Sequence, residues 1–273
     1  MRNLAFRLAY DGTDFVGSQW QSNGRSVQGE LEGAWERFAQ ERVRWMLAGR
    51  TDTGVHAQGQ VANVRSETRH SLSTIRRGMN ALLPEDLVVL EAQEVDADFH
   101  ARHSAVRRDY RYLIDNAPVA LPLLRNYVLH VESPLDYPAM QEALERLLGR
   151  HDFAAFASTT PEQGSTVRLC YLANCMLVEA WGRQLVGINL AANAFLHHMV
   201  RSIVGTLLLV GHKRMTPEVF AQVLASRDRR RAGPTAPAHA LSLQSVTYPP
   251  EAVTWRGDTS AIEAVMGAAA RGN

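Results

Sequence analysis

The chain has 273 residues, 46% of them hydrophobic, with 29 Lys+Arg against 28 Asp+Glu and a formal net charge of +1. That profile fits a globular protein with one large core or two domains, and it argues against a nonspecific polyanion binder while leaving room for a local basic face. No apolar run reaches the ~18 residues of a membrane-spanning helix; the nearest, Ala194 to Val210, is broken by His197, His198, Arg201 and Ser202.

Leu4, Phe6, Leu8 and Tyr10 alternate as a strand that follows directly on Met1, so no leader peptide is expected. Asp11-Gly12 and Asn23-Gly24 mark turns, and Ser26 reads as the N-cap of a helix whose apolar face is Val27, Leu31, Ala34, Trp35 and Phe38. A short strand at Val43 to Leu47 leads into Gly49-Arg50-Thr51-Asp52-Thr53-Gly54, and Gln60 to Arg65 resumes as strand. Ile75, Met79 and Leu82 predict a second helix that stops before Pro84, and Leu87 to Val95 a strand.

The order β-α-β-β-α-β then recurs. Asp109 to Ile114 alternates as a strand, and Met140, Leu144 and Leu147 give a helix ended by Gly149. Arg168–Glu179 and Gln184–Leu190 are adjacent strands turning at Gly182. Phe195–Val210 is a helix, Thr216 caps another with Pro217 in its first turn, and Leu241–Val246 is a last strand. The expected fold is therefore α+β: two split-βαβ (ferredoxin-like) units with antiparallel sheets, helices on one face and an active-site cleft between them. The domains are expected at 1–104 and 105–250, with a tail at 251–273 carrying a short helix near 260–266.

Cys170 and Cys175 read as reduced thiols of a cytoplasmic protein. Paired Cys/His ligand spacing, the Walker lysine loop and Gly-x-Gly-x-x-Gly are all missing, so neither metal nor cofactor is implied. Lys213 is the only lysine, so nearly all positive charge is guanidinium, suited to bidentate phosphate contacts.

Four features carry chemistry. Asp52 lies in a tight loop between two glycines beside Arg50, placed either as a nucleophile or base or as an Asp-x-Gly turn bonding its own backbone. Arg201 stands in an otherwise apolar helix, either buried beside a carboxylate such as Asp52 or on a solvated stripe. Tyr110 and Tyr112 share a strand face flanked by Arg107, Arg108 and Arg111, either as core or as a base-stacking platform. Asp98 to His103 is a polar, cationic stretch that fits a hinge or an RNA contact.

These segments together resemble the tRNA pseudouridine synthase A family along nearly the whole chain. The matching runs include Tyr10-Asp11-Gly12-Thr13, Ser26-Val27-Gln28, Ala48 to Ala57, Asn80 to Pro84, Phe99-His100-Ala101-Arg102, Arg107 to Tyr112, Gly149 to Phe153, Thr166-Val167-Arg168, Asn193 to Gly205 and Thr235 to Ala238. The resemblance implies a catalytic aspartate at Asp52, the arginine associated with base flipping at Arg50, a uracil-stacking tyrosine at Tyr110 and the basic partner of the aspartate at Arg201. It implies a tRNA contact at Arg102, and beside it the cationic stretches add Phe99, His100, His103, Arg107, Arg108 and Arg168 as expected substrate contacts. It further implies a cofactor-free homodimer that converts uridines at positions 38–40 of the tRNA anticodon stem-loop. A binding module that has lost chemistry, or a synthase with other target uridines, are the alternatives. Thr53 where alanine is usual, the Gln19-Trp20-Gln21 order and Ala240 for glycine are departures, and none touches the proposed catalytic set.

Overall fold

A computed structural model describes residues 1–159 and 164–255. The chain divides into two compact units, Met1–Arg108 joined by the segment that begins at Leu243, and Asp109–Ser242.

The first unit contains β1 (Arg2–Tyr10), α1 (Val27–Ala39), β2 (Met46–Leu47), β3 (His56–Ser66), α2 (Leu72–Leu82) and β4 (Leu87–Val95). β1 is central and antiparallel to both neighbours, Phe6 facing Ala62 on β3 and Ala92 on β4. Ser26 and Ser71 cap the two helices, each hydroxyl accepting from the backbone N–H three residues on. α1 meets the sheet through Trp35, which packs with Phe6 and Trp45, the three ring centroids lying 4.8–6.0 Å apart, and α2 buries Ile75 and Met79. The opposite sheet face is covered too. Asn3 donates to the carbonyls of Asp96 and Phe99, and Asn63 accepts from the N–H of Ala101, so a turn over residues 96–104 closes that side. The last strand of the chain, β10 (Leu241–Thr247), lies beside β3. Gly59 permits that approach, because a Cβ there would fall 2.4 Å from the carbonyl oxygen of Gln244. The final strand, expected with the second half, thus belongs largely to the first unit.

The second unit contains β5 (Arg107–Asp115, its first two residues counted with the first unit), β6 (Leu129–His130), α3 (Tyr137–Glu145), β7 (Gly149–Asp152), β8 (Val167–Ala180), β9 (Arg183–Ala192), α4 (Met199–Gly211) and α5 (Pro217–Ser226). Its sheet runs β5-β9-β8-β7, with β6 parallel to β5. Trp181 and Gly182, both at positive φ, close the β8–β9 hairpin with the backbone twist that two-residue turns favour. Two boundaries differ from expectation. α3 ends at Glu145, and Gly149, at φ +93, opens β7 instead of closing the helix. α4 starts at Met199 and not at Phe195, because His198 adopts a left-handed conformation just before it. Among the described residues no helix is long and apolar enough to cross a membrane. The helix expected near 260–266 lies outside the described residues.

One buried charge in this unit sets a stability test. Asp115 is fully buried and accepts from Arg183 at 3.2 Å, while the arginine side chain is 24% exposed. Replacing Arg183 with Ala strands the carboxylate, and we expect a loss of about 3 kcal/mol. Thermal unfolding checks this, and an unchanged midpoint would show that the carboxylate is stabilised by something other than Arg183.

Candidate active site

The loop between β2 and β3 presents Asp52, half-buried. Its backbone is held at nearly every residue. Ala48 N–H donates to Val61 O at 2.7 Å, the buried Gln60 side chain donates to Gly49 O at 2.9 Å, and Thr51 N–H donates to the Ser18 hydroxyl at 2.8 Å. Val55 N–H closes a turn on the carbonyl of Asp52, and Gly54 sits at φ +78, where a side chain would be strained. Gly49 has no positive φ; its contribution is the carbonyl that Gln60 reads.

The segment from Gly12 to Ser18 buttresses this loop. A Cβ on Gly12 would lie 2.1 Å from Val55 O, so only glycine fits there. Ser18 N–H donates to Thr51 O, and the Thr53 hydroxyl donates to Val16 O. Below them the Tyr10 hydroxyl meets Thr51 Oγ1 at 2.8 Å. Burial pushes the Tyr10 phenol up to about 12, so it stays protonated and acts as a fixed strut. Sequence reasoning misses these supports, although the spaced glycines Gly12 and Gly17 are their visible trace.

The turn over residues 96–104 carries the next group. Ser104 Oγ accepts from His100 N–H, and His100 Nδ1 accepts from Arg102 N–H at 3.1 Å. With Nδ1 so engaged, Nε2 holds the proton of the neutral ring. Burial, reinforced by His103, Arg102 and Arg65, holds the imidazole below its ordinary range. Arg108 secures the turn from inside, donating to the carbonyls of Arg102 at 2.6 Å, Ala105 at 2.9 Å and Ala48 at 3.2 Å. It is 8% exposed. Two expected substrate contacts are therefore interior residues: Arg108 binds backbone, and Phe99 packs against Tyr248 at 5.1 Å. Arg107 is half-buried.

Four other expected contacts do come together. Arg50, His100, Arg102 and His103 line a groove of about 210 Å³, with Arg44 and Met46 beside them. The His100 and His103 rings are 4.3 Å apart.

In the second unit, Tyr110 on β5 is buried and meets the Phe195 ring edge-on at 5.0 Å. Tyr112 is fully buried core, its hydroxyl pushed far above the ordinary phenol range by burial. Arg201, in the first turn of α4 and half-buried, donates from Nε to Ala236 O at 2.8 Å, and Ala236 N–H returns a bond to Arg201 O. Arg168 folds onto its own strand start, donating to Ser165 O and Val167 O, and burial lowers its basicity.

Comparison with known proteins places this arrangement in context. Residues 8–104 and 143–249 match a family model described as tRNA pseudouridine synthase. A protein from Chloroflexus aurantiacus named tRNA pseudouridine synthase A is 60% identical over 255 residues, covering 93% of this chain and 92% of its own. Similar proteins of the same name from Roseiflexus castenholzii and a Thermoanaerobacter species are 59% and 40% identical, each over 91% of this chain and over 92% and 100% of their own. The matched residues include the Asp52 loop, its Gly12–Ser18 buttress and the 96–104 turn.

Proposed function

The chain belongs to the tRNA pseudouridine synthase family and is an isomerase acting on tRNA, and we propose that it converts uridine to pseudouridine at positions 38–40 of the anticodon stem-loop, with Asp52 as nucleophile and no cofactor. The observation that carries this reading is the Asp52 loop. One carboxylate is presented on a backbone fixed by hydrogen bonds from β3 and from the Gly12–Ser18 segment, as a reacting group requires.

The chemistry asks little more of the protein than placement and charge. The N1–C1′ bond breaks, the uracil turns, and C5 joins C1′. The C5 hydrogen leaves as a proton and N1 takes one up, so substrate and product have the same composition. No electron or phosphoryl group is transferred. Asp52 must be ionised to attack, at C6 or at C1′, and Arg201 is proposed as the cation that favours the ionised form. Tyr110 is proposed to stack on the extruded uracil and offset part of the few kcal/mol that unstacking costs. Arg50 is proposed to assist extrusion, and recognition is proposed to read tRNA shape and phosphates more than base edges. Two copies are proposed to act as a cytoplasmic homodimer.

The test is carbodiimide mapping of an unmodified tRNA transcript carrying uridines at 38, 39 and 40. Stops at those positions and no others are the expected result. Product elsewhere in the tRNA would reassign the target, and tight binding without product would leave a module that has lost its chemistry.

A further inference from the structure

We propose that the groove lined by Arg44, Arg50 and Arg102 is a seat for a phosphodiester of the RNA strand next to the target nucleotide, with Arg44 a phosphate-binding residue that the catalytic set does not include. The proposal rests on the reading of the chain as a tRNA enzyme.

Three observations within the first unit support it. The first is unspent charge. Arg50 and Arg102 are exposed and make no side-chain hydrogen bond or ion pair among the described residues, and Arg44 reaches only Glu32, at 3.8 Å. That oxygen of Glu32 is already engaged by Gln28 Nε2 at 2.8 Å and Trp45 N–H at 3.2 Å, so it neutralises Arg44 weakly. Three guanidinium groups lining one groove suit an anion with several acceptor oxygens. The second is rigidity. Buried Arg108 ties Ala48 O, two residues before Arg50, to Arg102 O, so the segments that carry Arg50 and Arg102 are fixed relative to each other before any ligand arrives.

The third is the shape and the remaining lining. At about 210 Å³ the groove is smaller than a typical small-molecule pocket. It suits a phosphate with part of its sugar. Trp45, Met46 and Leu47 also line it, and Met46 is 41% exposed, which gives a ribose an apolar surface. The Gln19 amide, at the rim, has no hydrogen-bond partner among the described residues and adds an uncharged donor. Among the described residues no carboxylate lines the groove.

The experiment compares Arg44→Gln with Arg42→Gln, an exposed arginine two residues away that pairs with Glu36 outside the groove. Dissociation constants for an anticodon stem-loop RNA are measured across a salt series, with thermal midpoints recorded for each variant. Arg44→Gln is expected to weaken binding about tenfold and to flatten the slope of log Kd against log salt by about one. Arg42→Gln is expected to match the wild type. An unchanged Kd for Arg44→Gln overturns the proposal, and so do equal losses in the two variants, which would report only general surface charge. Inorganic phosphate at constant ionic strength is expected to compete no better than chloride. Displacement of the RNA by phosphate would make the groove a free-oxyanion site instead. Because binding is read without turnover, these outcomes are separate from the isomerase reading. A protein that binds RNA through Arg44 yet forms no pseudouridine keeps the groove and loses the reaction.

Discussion

Replacing Asp52 with Asn is expected to abolish pseudouridine formation while tRNA affinity stays within about twofold of wild type. The amide has nearly the shape of the carboxylate but cannot attack as an anion. Removing a nucleophile from a preorganised site costs on the order of 10⁴-fold or more in turnover. The loop should survive the change, because bonds from Ala48 N–H, Gly49 O, Thr51, Thr53 and the Asp52 carbonyl hold it and the substitution alters none of them. The measurement is single-turnover product formation beside a Kd from filter binding. Residual turnover within tenfold of wild type would remove Asp52 from the chemistry. A parallel collapse of binding would make it a structural residue of the turn.

The distribution of legible and illegible features follows from the range of the forces involved. Helix starts are readable because caps are local: Ser26 and Thr216 each accept from an N–H three residues on, and the serine, threonine and following periodicity announce it. The hairpin at Gly182 is readable for the same reason. The features that escape a sequence depend on distant partners. The residues from Phe195 to His198 continue an apolar run, yet the helix waits for Met199, because His198 takes a left-handed conformation that no local signal marks. β10 looks like the mirror of β4, and its place beside β3 depends on Gly59, whose missing side chain admits the Gln244 carbonyl.

At the site, the Asp52 loop is legible as a tight glycine-flanked turn, while its buttress is visible only as an unexplained glycine pattern. Arginine clusters are the least informative. Arg102 and Arg108 look alike in a sequence, and one faces solvent while the other is enclosed by backbone carbonyls.

Arg108 accordingly gives the second large effect. Its guanidinium donates to carbonyls on both the Asp52 loop and the 96–104 turn, and charge-assisted bonds of this kind contribute about 1.5–3 kcal/mol each when their loss leaves buried acceptors unpaired. Replacing Arg108 with Met keeps the stem and removes the donors. We expect a stability loss of about 3–4 kcal/mol, which for a chain of this length lowers the thermal midpoint by about 6 °C. tRNA binding should weaken as well, since Arg50 and Arg102 would no longer be held by a common clamp. Arg108→Lys should fall between, because an ammonium cannot reproduce the fork of the guanidinium. The arginine pattern of the sequence instead suggests Arg108 as a substrate contact, and the two roles separate cleanly. Removing an arginine that binds phosphate at the surface leaves the thermal midpoint where it was and lowers the salt dependence of binding by about one. Removing an interior clamp lowers the midpoint and leaves the salt slope intact, because the charges that face the RNA are still present. The burial of Arg108 predicts the second pattern.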